Sequence, residues 1–282
     1  MPTGALALTS TIVVLPPTPT MSPVSVPPFH PPDLIARFEA AGRAAGFRVE
    51  SMGAIAPPGL PPAAVPCSLL ALTKRTPGRR PRIYVSAGIH GDEPAPPLAL
   101  LELLEAGFFD ARATWFLCPL LNPAGFLRAT RENADGIDLN RDYKATRSAE
   151  IAAHRAWLTR QPNFDLTLCL HEDWEATGYY LYELNPLGRR SLARPIIEAV
   201  GAVMPVEPAA VIDGRPIDEP GIIRPDADPL LRDLWPESIY LRAHHTTLGY
   251  TLESSSARPL AQRIAAHRLA LATAVAGVLG AH

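Results

Sequence analysis

Cysteine is scarce: the 282 residues carry three, Cys67, Cys118 and Cys169. None forms a Cys-x-x-Cys pair, and an odd count argues against a disulfide framework. Cys118 and Cys169 lie in apolar runs, where a thiol is usually a small buried hydrophobe. Reduced structural thiols and a cytoplasmic location are therefore expected. Long apolar runs are missing as well. Nothing approaches the roughly 20 residues that cross a bilayer, and no Lys or Arg precedes the short apolar piece 11–15, which argues against a secretory signal. Met21 offers an alternative start. A surplus of one charge is also lacking. The net charge is −2 and the pI about 6.4, which gives no electrostatic reason to expect nucleic acid or an anionic membrane as a partner. There is no Gly-x-Ser-x-Gly elbow, no phosphate loop and no dinucleotide fingerprint.

What is present reads as an ordinary globular chain, 47% hydrophobic and 19% charged, long enough to bury a sizeable core. Nine of the 32 prolines fall in the first 32 residues, so residues 1–30 are expected to form a flexible tail. Residues 31–282 are expected to form one catalytic domain. Its first helix runs to Ala45 with Asp33 as its cap, and a second Pro-rich stretch, 57–66, reads as a loop. Short apolar runs predict strands at 68–73, 82–88, 114–120, 165–170 and 249–253. Helical spacing covers 94–106, 148–159, 192–203 and 257–277. Residues 122–144 read as one long loop, and 205–236 as a Pro- and Asp-rich excursion. Alternating strands and helices imply an α/β sandwich, whose sites gather at the carboxyl ends of strands.

Two histidines fall at such ends. His90-Gly91-Asp92-Glu93 follows one strand, and His171 emerges from the run Leu166-Thr-Leu-Cys-Leu170. Zinc prefers nitrogen and carboxylate ligands, and a catalytic site uses three protein groups with one position open. A lone His-x-x-Glu is common by chance, and a strand-end His more often serves as scaffold. His244-His245 tempts as a metal pair, but adjacent residues on a strand point to opposite faces. The acidic residues Glu172, Asp173 and Glu175 read as a solvated face, the commoner case for a charge cluster, or as a rim that favours basic substrates.

The order of the motifs is more specific than any one of them. His-Gly-Asp-Glu, Asn122-Pro-Ala-Gly125, Arg131-Glu-Asn133, Asp138-Leu-Asn-Arg141, the strand-end His171 and Tyr250-Thr-Leu-Glu253 together resemble the M14 family of zinc carboxypeptidases, over roughly residues 80–255. The resemblance implies an α/β/α sandwich with a mixed central sheet and one zinc per chain. It matches His90, Glu93 and His171 to the zinc ligands and Glu253 to the general base that deprotonates the zinc-bound water. Asn140 and Arg141 match the pair that grips the substrate's terminal carboxylate. Arg131 matches the arginine that polarises the scissile carbonyl, with Arg128 as the competing choice. Asp138 matches the carboxylate behind the first zinc histidine, and Tyr240 the substrate-side tyrosine.

These roles are chemically coherent. Zinc lowers the pKa of bound water to about 7, a glutamate can shuttle the proton to the leaving amine, and a guanidinium binds a carboxylate in a two-pronged fork. The chain departs from the digestive enzymes in its short spacer between His90 and His171 and in the settings His171-Glu-Asp-Trp-Glu175 and Tyr179-Tyr-Leu-Tyr-Glu183. Compact spacers also occur in deacylases that resemble succinylglutamate desuccinylase and aspartoacylase. The leading expectation is a metallocarboxypeptidase acting on peptides. The alternatives are a deacylase of N-acyl amino acids, favoured if residues 205–240 close a small pocket, and a non-catalytic zinc- or carboxylate-binding protein.

Overall fold

A computed structural model describes residues 30–55, 67–226 and 228–280. The expected tail, save for His30, and the whole of the expected loop 57–66 lie outside these residues. An eight-stranded mixed sheet has the order β1-β2-β4-β3-β5-β10-β6-β9. Its strands are β1 (Arg48–Ile55), β2 (Cys67–Lys74), β3 (Arg82–Ser86), β4 (Thr114–Cys118), β5 (Leu166–Asp173), β6 (Tyr180–Leu184), β9 (Ile222–Ile223) and β10 (Gly249–Ser255). A two-stranded hairpin, β7 (Val211–Ile212) with β8 (Arg215–Pro216), stands apart. The central strands β4, β3, β5 and β10 run parallel.

Side chains alternate across these strands as a period of two requires. Ile83, Val85, Trp115, Leu117, Leu166 and Leu168 face one core, built with α1 (Pro31–Ala44), α2 (Ala95–Glu105), α5 (Ala193–Val200) and α7 (Leu260–Leu279). Tyr84, Phe116, Cys118 and Cys169 face the other, covered by α4 (Ala149–Leu158) and α6 (Glu237–His244). All three cysteines are buried and free. Ala266, Ala270 and Ala274 recur every four residues along α7 and are buried, which lets it approach α2 and α5. Trp115 and Trp157, fully buried on opposite faces, are the largest packing units; truncating either to Ala costs about 3–5 kcal/mol. The α/β/α sandwich with a mixed sheet is thus what the chain forms.

Several elements differ from expectation. Asp33 does not cap α1. The helix begins at Pro31 after His30, whose side chain makes no cap bond, and Asp33 sits in the first turn, where a carboxylate complements the helix dipole. Strand β1 was not expected, because it is an edge strand without a buried face. The loop 122–144 contains α3 (Pro123–Arg128) and a 3-10 turn, Leu139–Arg141. Asn122 accepts from the Gly125 N–H at 2.8 Å with Pro123 in the first turn, a helix start too short for a periodic signal. Strand β5 continues past Leu170 to Asp173, because β10 pairs with it through Ser255, so His171 lies within the strand.

Candidate functional site

The register of the central strands assembles the site. In the parallel pair β5–β10, Glu253 lies opposite His171, and on its other flank it lies opposite Tyr180 of β6. His90 and Glu93 come from the turn after β3. That turn is docked by a close approach: a Cβ on Gly91 would collide with the backbone of Gly125 and Phe126, while the Gly91 N–H donates to the Thr130 carbonyl at 2.9 Å. Two of the sequence motifs therefore touch through their glycines, as only glycine permits.

His90, Glu93 and His171 are all buried, and their ligand atoms lie within 4.8 Å of one another. Glu93 reaches His90 Nδ1 through Oε1 at 2.5 Å and His171 Nδ1 through Oε2 at 3.1 Å. Behind His90, its Nε2 lies 3.3 Å from Asp138 Oδ1. A proton on Nε2 leaves the Nδ1 lone pair aimed at the centre of the three groups, as a metal ligand requires. Two imidazoles, one carboxylate and an adjoining pocket form a donor set suited to a catalytic zinc ion. Burial opposes the charge on Glu93, but His90 and His171 hold its carboxyl well below the usual range. Burial also opposes protonation of His90, yet Glu93 and Asp138 outweigh it and push the imidazole up to about 9. Metal binding must therefore displace a proton.

A cavity of about 380 Å³ opens on this cluster, and Arg131, Asn140, Arg141 and Glu253 line it with the three candidate ligands. Arg131 donates from Nε to Asp138 Oδ2 at 3.0 Å and lies 3.2 Å from His90 Nδ1 through Nη1. Arg128 is exposed at the end of α3 and does not line the cavity. Asn133 folds the intervening loop by accepting from the Asp135 and Ile137 N–H groups. Asp138 caps the 3-10 turn by accepting from the Asn140 N–H at 2.9 Å, so one carboxylate sets both His90 and the residues beside it. The Glu237 N–H donates to Asn140 Oδ1 at 2.9 Å. With that oxygen engaged, the Asn140 amide presents its NH2 as the remaining polar group. Burial pushes the Glu253 carboxyl up to about 8, assisted by Glu93 and Asp173 and opposed by His171. A divalent cation nearby would pull it back down.

The structure does not bring Tyr240 to the site. It lies on α6, 2% exposed, packed on Tyr143 and under the Arg155 guanidinium, because its face of α6 covers the second core. The tyrosines at the cavity are Tyr180 and Tyr182. The alternation of Tyr180, Tyr182 and Leu184 on β6 is the signal that identifies them, since period two places them on one face. The acidic cluster is only partly a solvated face. Glu172 is buried, ion-paired with Arg263, and accepts from the Ala95 N–H at 2.6 Å at the start of α2. Asp173 accepts from the Tyr180 hydroxyl at 2.8 Å. His244 ends α6 rather than lying on a strand, and His245 follows it, its ring stacked on Phe164.

The family model of the succinylglutamate desuccinylase/aspartoacylase catalytic domain matches residues 79–276, more than half of the chain. The chain belongs to this family. Among solved structures, it is similar to a protein of Shewanella amazonensis provisionally named a metallopeptidase, at 26% identity and a TM-score of 0.71, over 86% of this chain and 91% of that one. Two more distant likenesses show the shared fold alone. A metallo-carboxypeptidase of Burkholderia cenocepacia has 18% identity and a TM-score of 0.59, over 86% and 67% of the two chains. A metallo-carboxypeptidase of Pseudomonas aeruginosa, solved with (2-guanidinoethylmercapto)succinic acid, has 21% identity and a TM-score of 0.59, over 86% and 68%. No curated protein matches the chain. The family match and the carboxypeptidase-like fold place the chain in the superfamily of metal-dependent hydrolases that its motifs resemble. Among the described residues, no helix of this family member is long and apolar enough to cross a membrane.

Proposed function

We propose that the protein is a zinc-dependent amidohydrolase that releases an amino acid from its N-acyl derivative. The observation that carries this reading is the lining of the cavity. Residues of the 205–236 excursion and its continuation, among them Arg215, Pro225, Arg232, Leu234 and Pro236, line the same cavity as the metal cluster. A cavity of about 380 Å³ suits a small substrate rather than a polypeptide. The family match supports the same choice.

His90, Glu93 and His171 would hold the zinc ion, which would supply Lewis-acid activation of water and of the acyl carbonyl. The chain's own groups do the rest. Asn140 and Arg141 grip the carboxylate of the amino-acid half and set the scissile bond in place, a contribution of orientation. No ion pair engages Arg141 among the described residues, and its Nη1 donates only to the Asn140 carbonyl, at 3.0 Å, which leaves donors for a substrate. Arg131, steered by Asp138, faces the acyl oxygen as negative charge develops there, worth roughly 3–4 kcal/mol for one well-placed donor. Glu253 takes the proton from the attacking water and returns it to the leaving amine.

A second reading is a carboxypeptidase, with the same machinery. It is favoured by the exposed Trp174, 74% accessible at the cavity rim, which offers a surface to a longer chain. Purified protein loaded with zinc, incubated with panels of N-acyl amino acids and short peptides, separates the two. Release of free amino acid from the acyl panel, abolished by a chelator, is expected. Cleavage confined to peptides would sink the leading reading, and activity indifferent to chelation would sink both.

A further inference from the structure

Behind the metal cluster, the face of the sheet that packs on α2 and α7 turns from apolar to polar. Leu166, Leu168 and Leu170 of β5 and Tyr250 and Leu252 of β10 belong to the first core. With a period of two, the next positions on that face are Glu172 and Ser254, which lie opposite one another in the parallel register. Both are buried. Helix α7 meets them with Arg263 and His267, four residues apart and so one turn along the same face. Arg263 pairs with Glu172, and His267 Nε2 lies 3.0 Å from Ser254 Oγ. The strand residues just before this pair, His171 and Glu253, line the cavity on the other face.

Stability does not explain the ion pair. The Glu172 side chain is wholly buried and that of Arg263 is 12% exposed. Desolvation offsets most of the attraction in such a pair, and well-packed apolar side chains stabilise as well or better.

The second carboxylate oxygen supplies the reason. Glu172 Oε1 accepts from the Ala95 N–H at 2.6 Å. The segment after Glu93 reads Pro94-Ala-Pro-Pro97, and proline has a fixed φ and no N–H. Between Glu93 and Leu98, Ala95 therefore carries the single backbone N–H. The Leu98 N–H turns back to the Pro94 carbonyl at 3.4 Å, and Pro94, at the N-cap, gives α2 no side-chain cap. The stiff start of α2 thus hangs on Glu172. Ala95 is two residues past Glu93, and Glu172 is one past His171. One carboxylate ties together the backbones that carry two of the three candidate ligands, and Arg263 holds it from α7.

We propose that Glu172, oriented by Arg263, is a positioning residue of the metal centre: its grip on the Ala95 N–H sets Glu93 against His171 and so raises the affinity for the ion. It acts through the backbone rather than on the substrate. The proposal rests on the reading of His90, Glu93 and His171 as a zinc site, and not on which amide is cut.

Two double variants separate this role from a merely structural one, because each removes both charges and leaves neither buried alone. E172L/R263M also removes the acceptor for the Ala95 N–H, whereas E172Q/R263M keeps an amide oxygen there. Competition with a chelating dye gives the zinc affinity, and urea unfolding gives the stability of the metal-free proteins. E172L/R263M is expected to be at least as stable as the parent, yet to bind zinc roughly tenfold to a hundredfold more weakly, the usual effect of losing such a partner. E172Q/R263M should recover most of that affinity. Parent-like affinity in E172L/R263M overturns the proposal. So does an equal loss in both variants, or failure of E172L/R263M to fold, which would make the pair structural. A parent protein that binds no zinc overturns the metal reading and this proposal with it. Failure of the amidohydrolase reading looks different: the pattern of affinities holds, but no amide in any panel is cleaved.

Discussion

At the scale of the residue, Glu253 is the sharpest test of the proposed chemistry. It lies opposite His171 on the adjoining strand but is not one of the three grouped ligand candidates. Glu253→Gln preserves the shape and removes the proton acceptor. Zinc content by elemental analysis should stay near that of the parent protein, while kcat falls roughly 100- to 10,000-fold, the usual contribution of a general base. Undiminished turnover would assign the base elsewhere. The residues at this scale differ in how legible they were. That His90, Glu93, His171 and Glu253 come together at one cavity could be read because fixed spacing and strand ends constrain them. The choice between Arg131 and Arg128 could not, because a loop carries no period. The ion pair of Asp138 with Arg131 at 3.0 Å supports Arg131. Tyr240 was misread because a lone tyrosine before a late strand does not reveal which way its helix faces.

At the scale of the element, the turn after β3 acts as one piece with α3. Gly91 has room for no side chain, since the obstruction is the backbone of Gly125 and Phe126 rather than a movable side chain. Gly91→Ala must therefore push His90 and Glu93 away from His171. The expected outcome is a loss of zinc affinity of at least tenfold in competition with a chelating dye, together with a loss of stability of about 1–3 kcal/mol, as for other overpacked sites. Ordinary zinc affinity in this variant would show that the turn can yield. The sheet was legible where strands are buried on both faces, because apolar runs such as Thr114–Cys118 read as strands directly. It was not legible at β1, whose residues are nowhere buried, or at β6, where polar and aromatic residues mix. Helix α6 was missed for a different reason: its apolar residues Ile239, Tyr240 and Leu241 are consecutive and show no helical spacing.

At the scale of the whole molecule, a buried polar chain ties the second helical layer to the sheet. Tyr84 of β3 donates its hydroxyl proton to Glu237 Oε1 at 2.6 Å, and Ser86 donates to Oε2 at 2.8 Å. His154 of α4 lies 3.0 Å from the Tyr84 hydroxyl through Nε2 and 2.7 Å from the Tyr143 hydroxyl through Nδ1. With the Tyr84 proton committed to Glu237, His154 must carry its proton on Nε2 and accept from Tyr143 on Nδ1. That is the neutral imidazole. Burial is the main reason its pKa is pulled down to about 3, with His245 contributing. An unfolded histidine titrates near 6.5. Between these values the unfolded chain binds the extra proton, so stability rises with pH across this window. The contribution is complete above about pH 6.5 and is lost as the pH falls towards the folded value. Each unit of separation corresponds to about 1.4 kcal/mol, so by pH 5 this one residue should cost about 2 kcal/mol. Urea unfolding of the parent protein and of His154→Gln at pH 7.5 and pH 5 measures it. The variant should be less stable than the parent at pH 7.5 by roughly 1–3 kcal/mol, since glutamine cannot satisfy both tyrosines as well, yet it should lose less on acidification. Other titrating groups, including His267, which burial also pulls down to about 3, are common to both proteins and cancel in the comparison. Equal acid sensitivity in the two proteins would mean that His154 is already charged, or already exposed, in the native state.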